Sequence, residues 1–192
     1  AQKQEYNMSQ AKHIRAPFDE ETAKSLKAGD RVLISGTILA ARDAAHKKMV
    51  ETLDKGEELP VDLEGQVVYY VGPSPAKPGH VIGSAGPTTS GRMDAYAPRL
   101  MACGLKGMIG KGYRKKEVVD AMEKYGVPYM AAVGGAGALI ARTIKKYTVL
   151  AWPELGPEAL AEMEVEDFPA VVVIDCEGND YYEAGQKPYR KI

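Results

Sequence analysis

Three strand-to-helix junctions carry the residues whose types and spacing could do chemistry. Functional side chains of α/β proteins collect where strands end and helices begin, because loops are exposed there and helix amides point outward to receive anions. In Gly36-Thr37-Ile38-Leu39-Ala40-Ala41-Arg42-Asp43-Ala44-Ala45-His46, the spacing puts Arg42 at the start of a helix and His46 one turn later. A cation at the positive end of a helix is unfavourable by about 0.3–1 kcal/mol, so an arginine there either has a task or pairs with an acid such as Asp43. His46, with lysines in the next turn, reads as a solvated or locally bonded histidine rather than a general base.

The second junction is Gly86-Pro87-Thr88-Thr89-Ser90-Gly91-Arg92-Met93-Asp94. Three hydroxyls between glycines, followed by an arginine, make a cradle for an anion. It falls short of a P-loop, G-x-x-x-x-G-K-[ST], because Arg92 replaces the lysine and Met93 the magnesium-binding hydroxyl. The third is Gly110-Lys111-Gly112, where flanking glycines leave an ammonium room to turn into a cleft, the plain alternative being an exposed turn lysine. Gly134-Gly135-Ala136-Gly137 fails the dinucleotide fingerprint, since Ile140 stands where G-x-G-x-x-G needs glycine, and reads as a tight bend against the core. Taken together, Arg42, Arg92 and Lys111 with Thr88 and Thr89 would present three cations and two hydroxyls to one pocket, a match for two carboxylates. Charge-assisted hydrogen bonds contribute about 1.5–3 kcal/mol each, so several can hold a four-carbon diacid with little apolar area to bury.

The elements that position these residues belong to a chain of 192 residues, the size of one domain. With 45% apolar and 27% charged residues, neither a disordered tail nor a collagen-like chain fits. Lysine plus arginine at 25 against aspartate plus glutamate at 26 leaves a net charge of -1, too balanced to hold nucleic acid through an overall field. Two cysteines, Cys103 and Cys176, cannot build a disulfide framework, a four-thiolate zinc site or a self-contained iron-sulfur site, and read as small buried core residues. The opening AQKQEYNMSQAKHIRAP has no apolar leader region, and no run approaches the ~18 residues of a membrane span, so the expected setting is cytoplasmic, without membrane contact. The start at Ala1 is compatible with a removed initiator methionine or with the C-terminal part of something longer.

Residues 2–15 are polar and aperiodic and read as an arm that is ordered only if something holds it. RVLISG from Arg31 reads as a strand, and ARDAAHKKMVETLDKG as a helix, with Ala45, Met49 and Leu53 at four-residue steps and Gly56 as the stop. QVVYYVG is a second strand, ended by Pro73, Pro75 and Pro78; HVIGSAG could be a short one. Met93, Ala97, Leu100 and Met101 predict a helix capped by Thr89 or Ser90 and closed by Gly104. LKGMIG, a helix ending before Gly126, and VPYMAAV follow; then KYTVLAW as a strand, PEALAEMEVED as a short acidic helix and AVVVIDCEGN as a buried strand. The alternation predicts an α/β domain with a partly parallel central sheet. The stretches near Gln66, His80 and Tyr147 would belong to a second sheet layer.

At the junction residues the sequence also carries a resemblance. ISGTILAARDAAHKKM, YYVGPSPAKPG, IGSAGPTTSGRMD and GMIGKG closely resemble the beta subunit, or C-terminal domain, of class I iron-sulfur fumarate hydratases, a pattern shared by tartrate dehydratase beta subunits. The resemblance runs from about Arg31 through the final strand. It implies a swivelling β/β/α three-layer domain spanning residues 1–192, with 1–17 an N-terminal arm. It further implies a cluster-bearing alpha subunit as partner, whose cysteines hold a 4Fe-4S cluster, no metal on this chain, and assembly into an oligomer. The reaction implied is reversible hydration of fumarate to L-malate, with the iron of the partner as Lewis acid. Arg42, Thr88, Thr89, Arg92 and Lys111 match the family motif as binders of the small dicarboxylate, and Thr88 matches the proposed base. A threonine hydroxyl is a poor base unless neighbouring cations activate it. Two alternatives stand beside this: a tartrate dehydratase subunit, and a non-catalytic carboxylate-binding or assembly module, favoured if the cations prove scattered.

Overall fold

The protein is described from a computed structural model covering residues 10–132 and 137–186. Among these residues the sheet has seven strands: β1 (Lys12–Ala16), β2 (Arg31–Ala40), β3 (Val67–Tyr69), β4 (Gly107–Gly110), β5 (Tyr129–Ala132), β6 (Ile144–Ala151) and β7 (Leu160–Ile174). The order is β1-β2-β3-β4-β5-β7-β6, and β2 pairs with β7 as well, so β2, β3, β4, β5 and β7 close into a ring. Pairs from β1 through β5 are parallel; β7 runs antiparallel to β2, β5 and β6. The helices are α1 (Glu20–Ser25), α2 (Asp43–Asp54), α3 (Ala97–Ala102), α4 (Lys116–Tyr125), α5 (Gly137–Thr143) and α6 (Tyr181–Gln186). The result is a mixed α/β domain with a mostly parallel sheet.

The period of two sorts the strand residues between two cores. Ile34, Tyr69, Ile109, Met130, Met163 and Phe168, drawn from all five ring strands and the bend in β7, fill the ring. Their sequence neighbours Tyr70, Met108 and Tyr129 face outward onto Met49 of α2, Leu100 of α3 and Met122 of α4. Helix α4 shows the local logic: Val118, Ala121 and Met122 bury one stripe, and Gly126, left-handed at φ 65°, ends the helix by returning its amide to the Met122 carbonyl.

Several expectations are corrected. PEALAEMEVED is no acidic α-helix: Pro157 and Glu158 end a 3₁₀ turn, and residues 160–167 form the first part of β7, which continues into AVVVI. Its leucine, alanine, glutamate and methionine are strong helix formers, but Ala161, Met163 and Val165 are buried in alternation with Glu162, Glu164 and Glu166, and pairing with both β2 and β6 overrides propensity. HVIGSAG contains no strand; the loop folds on itself, with Ser74 donating its amide to Ser84 and Gly83 to Ser74. No second layer of strands forms from the three stretches named: β3 is inside the ring, β6 is the sheet edge and the His80 stretch is loop. The helix expected from Met93 to Met101 divides into a 3₁₀ turn, Ser90–Met93, and α3, and Thr89 makes no side-chain cap. Neither cysteine is a buried core residue, since Cys103 is exposed and Cys176 half-buried, its Sγ donating to the Ala23 carbonyl at 3.3 Å. The expected bend at 134–137 lies outside the described residues except for Gly137, which opens α5. The last residues of the N-terminal stretch are held as β1 by parallel pairing with β2. Where Ala16 meets Gly36, a Cβ would stand 2.1 Å from the Ala16 carbonyl oxygen, at a φ of +109° that favours glycine.

Candidate functional site

Because β2, β3 and β4 are parallel, their C-terminal ends lie on one edge of the sheet, and the three junctions follow from those ends. Arg42 caps α2 just beyond β2, where the Ala41 amide still donates to Tyr69 at 3.1 Å. Beyond β3 the chain makes its long excursion and returns at Thr88, whose amide donates to the Tyr70 carbonyl at 2.7 Å. Thr89 then bridges in parallel to Lys111, and the Ser90 amide donates to the Lys111 carbonyl at 2.9 Å. The segment 88–90 is thus inserted between the extensions of β3 and β4. That placement needs Gly110, because a Cβ there would stand 2.0 Å from Ser90 Oγ.

The five residues are linked through backbone bonds and neighbouring residues. Thr88, Thr89 and Lys111 are joined through the backbone bonds just described. Arg92 reaches across to pair with Asp43, the residue after Arg42. Arg42 lies against Gly72, the continuation of β3: a Cβ at Gly72 would be 2.7 Å from Arg42 Cδ and 2.9 Å from Arg42 Nη1. Its Nε lies 3.1 Å from Glu158 Oε1. Lys111 is exposed and has no ion-pair partner among the described residues. Both arginines are partly exposed, at 25% for Arg42 and 49% for Arg92, so they are reachable by a ligand. The three junctions that carry these cations therefore follow strand ends on one edge of the sheet.

His46 corrects the solvated part of its reading: it is locally bonded, but fully buried. Its Nδ1 lies 2.9 Å from the Arg42 carbonyl, so Nδ1 carries the proton, and Nε2 has no partner among the described residues. Its ring packs edge-on against Tyr70, with centroids 5.3 Å apart. Burial pushes its pKa down to about 4, with the Arg114 cation adding to the effect, so it is neutral near pH 7. It holds the start of α2 rather than serving as an acid.

Beneath the edge lies a polar network that the sequence did not reveal. Arg114, whose side chain has no exposure, donates from Nε to Asp94 Oδ1 at 2.7 Å and sits over the rings of Tyr70 and Tyr129 at 5.3 and 5.0 Å. Asp94 Oδ2 accepts the Lys115 amide at 2.9 Å. Ser90 and Tyr129 hydroxyls are 2.9 Å apart. The only sequence signal for this was a serine and an aspartate inside the hydroxyl-rich motif; Arg114 sits in a run of basic residues that looks like a solvated surface.

Comparison with known proteins adds the following. Residues 1–185 match the family described as Fumarase C-terminus. Fumarate hydratase 2 of Leishmania major is 43% identical over 173 residues, covering 88% of this chain and 30% of that protein. The aerobic class I fumarate hydratase of Escherichia coli K12 is 43% identical over 155 residues, 80% of this chain and 28% of that protein. A putative L(+)-tartrate dehydratase subunit beta of Methanocaldococcus jannaschii is 42% identical over 180 residues, 90% of this chain and 92% of that protein. The chain thus spans under a third of those fumarate hydratases and nearly all of the tartrate dehydratase subunit.

Proposed function

The chain belongs to the fumarase C-terminus family, and on that premise we propose that it is the substrate-binding beta subunit, or C-terminal domain, of a hydro-lyase interconverting fumarate and L-malate. The observation that carries this reading is the insertion of Thr88–Ser90 beside Lys111, with Arg92 tethered next to Arg42 on the same sheet edge. Three cations and two hydroxyls on that edge suit a small dianion, which would compete with Glu158 for Arg42 and with Asp43 for Arg92.

In the dehydration direction, Thr88 Oγ takes the proton from C3 of malate and the C–O bond at C2 breaks, the hydroxide leaving with its electron pair. Charge that builds on the adjoining carboxylate as the proton leaves is stabilised by Arg42, Arg92 and Lys111. The same cations favour an anionic threonine oxygen, the activation that this weak base needs. Thr89 orients the substrate, and the acid that meets the departing hydroxide belongs to the partner.

An iron-sulfur cluster does not fit this chain. Ligation of an exchange-open cluster takes several thiolates, and the chain has two cysteines, one exposed and the other bonded to the Ala23 carbonyl. Among the described residues no three His, Cys, Asp or Glu side chains gather in a metal-holding group. We assign the 4Fe-4S cluster to an alpha partner, with this chain as a swivelling domain, residues 1–17 as its arm, in a cytoplasmic oligomer. No helix among the described residues is long and apolar enough to cross a membrane.

A second reading, the beta subunit of an L-tartrate dehydratase, is favoured by the 42% identity to a putative L(+)-tartrate dehydratase subunit beta. The test is anoxic co-expression with a cysteine-rich alpha partner, followed by assays of fumarate and tartrate turnover. Fumarate preference supports the first reading and tartrate preference the second; turnover by this chain alone, without iron, overturns both.

A further inference from the structure

The Tyr129 hydroxyl joins the two segments that carry the proposed site. It donates to the Gly112 carbonyl at 2.8 Å, and since a phenol has one proton, the 2.9 Å contact with Ser90 Oγ is a bond donated by the serine. Gly112 follows Lys111 and Ser90 follows Thr89, so one oxygen clasps the cation's turn to the hydroxyls' loop. Ser90 and Tyr129 are both fully buried, and burial raises the Tyr129 pKa, keeping the phenol protonated. The ring is held in turn by Arg114, which is fixed by Asp94 at the far end of the turn that Ser90 begins.

Tyr129 belongs to the helix-facing core, where a phenylalanine would fill the same volume without a hydroxyl to satisfy. Among the described residues its hydroxyl bonds only to these two segments. We propose that Tyr129 is a positioning residue for the reaction: by bonding Ser90 and Gly112 together, it sets the spacing between the Thr88–Thr89 pair and Lys111. The inference rests on the functional reading above and adds a residue that touches no substrate.

The test is made on the complex with the alpha partner, comparing the parent, Tyr129→Phe, Ser90→Ala, the double variant, and Leu63→Ala as a core truncation on the chain entering β3. Tyr129→Phe should raise KM about tenfold and lower kcat/KM by about tenfold or more, the consequence of misplacing one charge-assisted bond. Leu63→Ala should lose thermal stability at unchanged KM, because KM does not depend on how much of the enzyme is folded. Ser90→Ala and Tyr129→Phe break the same clasp, so the double variant should be no worse than Tyr129→Phe alone. An active parent with KM within twofold in Tyr129→Phe, or effects that multiply in the double variant, overturns the inference while leaving the functional reading standing. A parent complex that turns over neither fumarate nor tartrate overturns both.

Discussion

Replacing Gly110 by alanine tests whether the hydroxyl loop is held by close approach to β4. A Cβ there would lie 2.0 Å from Ser90 Oγ and 2.8 Å from Tyr70 Cδ2. Gly110 is not among the positive-φ glycines, so alanine perturbs the contact and not the backbone conformation. Ser90 is fully buried and cannot swing to solvent; moving Oγ aside breaks its bond with the Tyr129 hydroxyl. Overpacking costs about 1–3 kcal/mol, and an unsatisfied buried hydroxyl another ~1–3 kcal/mol, so the variant should lose roughly 2–6 kcal/mol. For a chain of this length that is a fall in Tm of at least about 4 °C, measurable by calorimetry alongside urea denaturation. In a Ser90→Gly background the nearest clashing atom is gone, and the same substitution should cost clearly less, the Tyr70 contact alone remaining. A Gly110→Ala chain melting within 1 °C of the parent, or an equal cost in both backgrounds, would show that close approach to β4 does not hold the loop.

Gly72→Ala should leave Tm within about 3 °C, since the two nearest atoms belong to a flexible arginine and the Pro157 carbonyl oxygen stands 3.4 Å away, but displace Arg42 and lower kcat/KM of the complex about tenfold; unchanged kinetics would remove Arg42 from the site. Arg92→Ala removes charge-assisted bonds worth about 1.5–3 kcal/mol, so kcat/KM should fall roughly 10- to 150-fold, with near-parental rates counting against the assignment. His46, held neutral by burial down to a pKa of about 4, binds a proton more readily in the unfolded chain, near its ordinary 6.5. Its contribution is therefore full above pH 6.5 and is lost as pH falls toward 4, by roughly 3 kcal/mol at most. His46→Gln should flatten the dependence of the urea midpoint on pH across that window, and parallel profiles would show that His46 does not set it.

The three junctions were legible because glycine, threonine and arginine at strand ends leave a local trace, and the structure places all of them on one edge through backbone bonds that parallel strands enforce. Strand β7 was misread where its long-range pairing outweighs a helix-forming composition; the alternation of Ala161, Met163 and Val165 with three glutamates was the signal overlooked. Asp94 with Arg114, and Ser90 with Tyr129, are 20 and 39 residues apart, so no local pattern announces them. The Arg42–Glu158 pair is more distant still and arises only because the turn 153–158 packs beside the start of α2. The cysteines misled for the opposite reason: residue type predicts burial on average, while position at a helix end decided the case of Cys103.

The most direct measurement is a crystal structure of the chain assembled with the proposed alpha partner and soaked with malate. The account predicts the two carboxylates within hydrogen-bond distance of Arg42, Arg92 and Lys111, with C3 facing the Thr88 hydroxyl. Malate bound through other residues, with those cations still turned to Glu158, Asp43 and solvent, would contradict it.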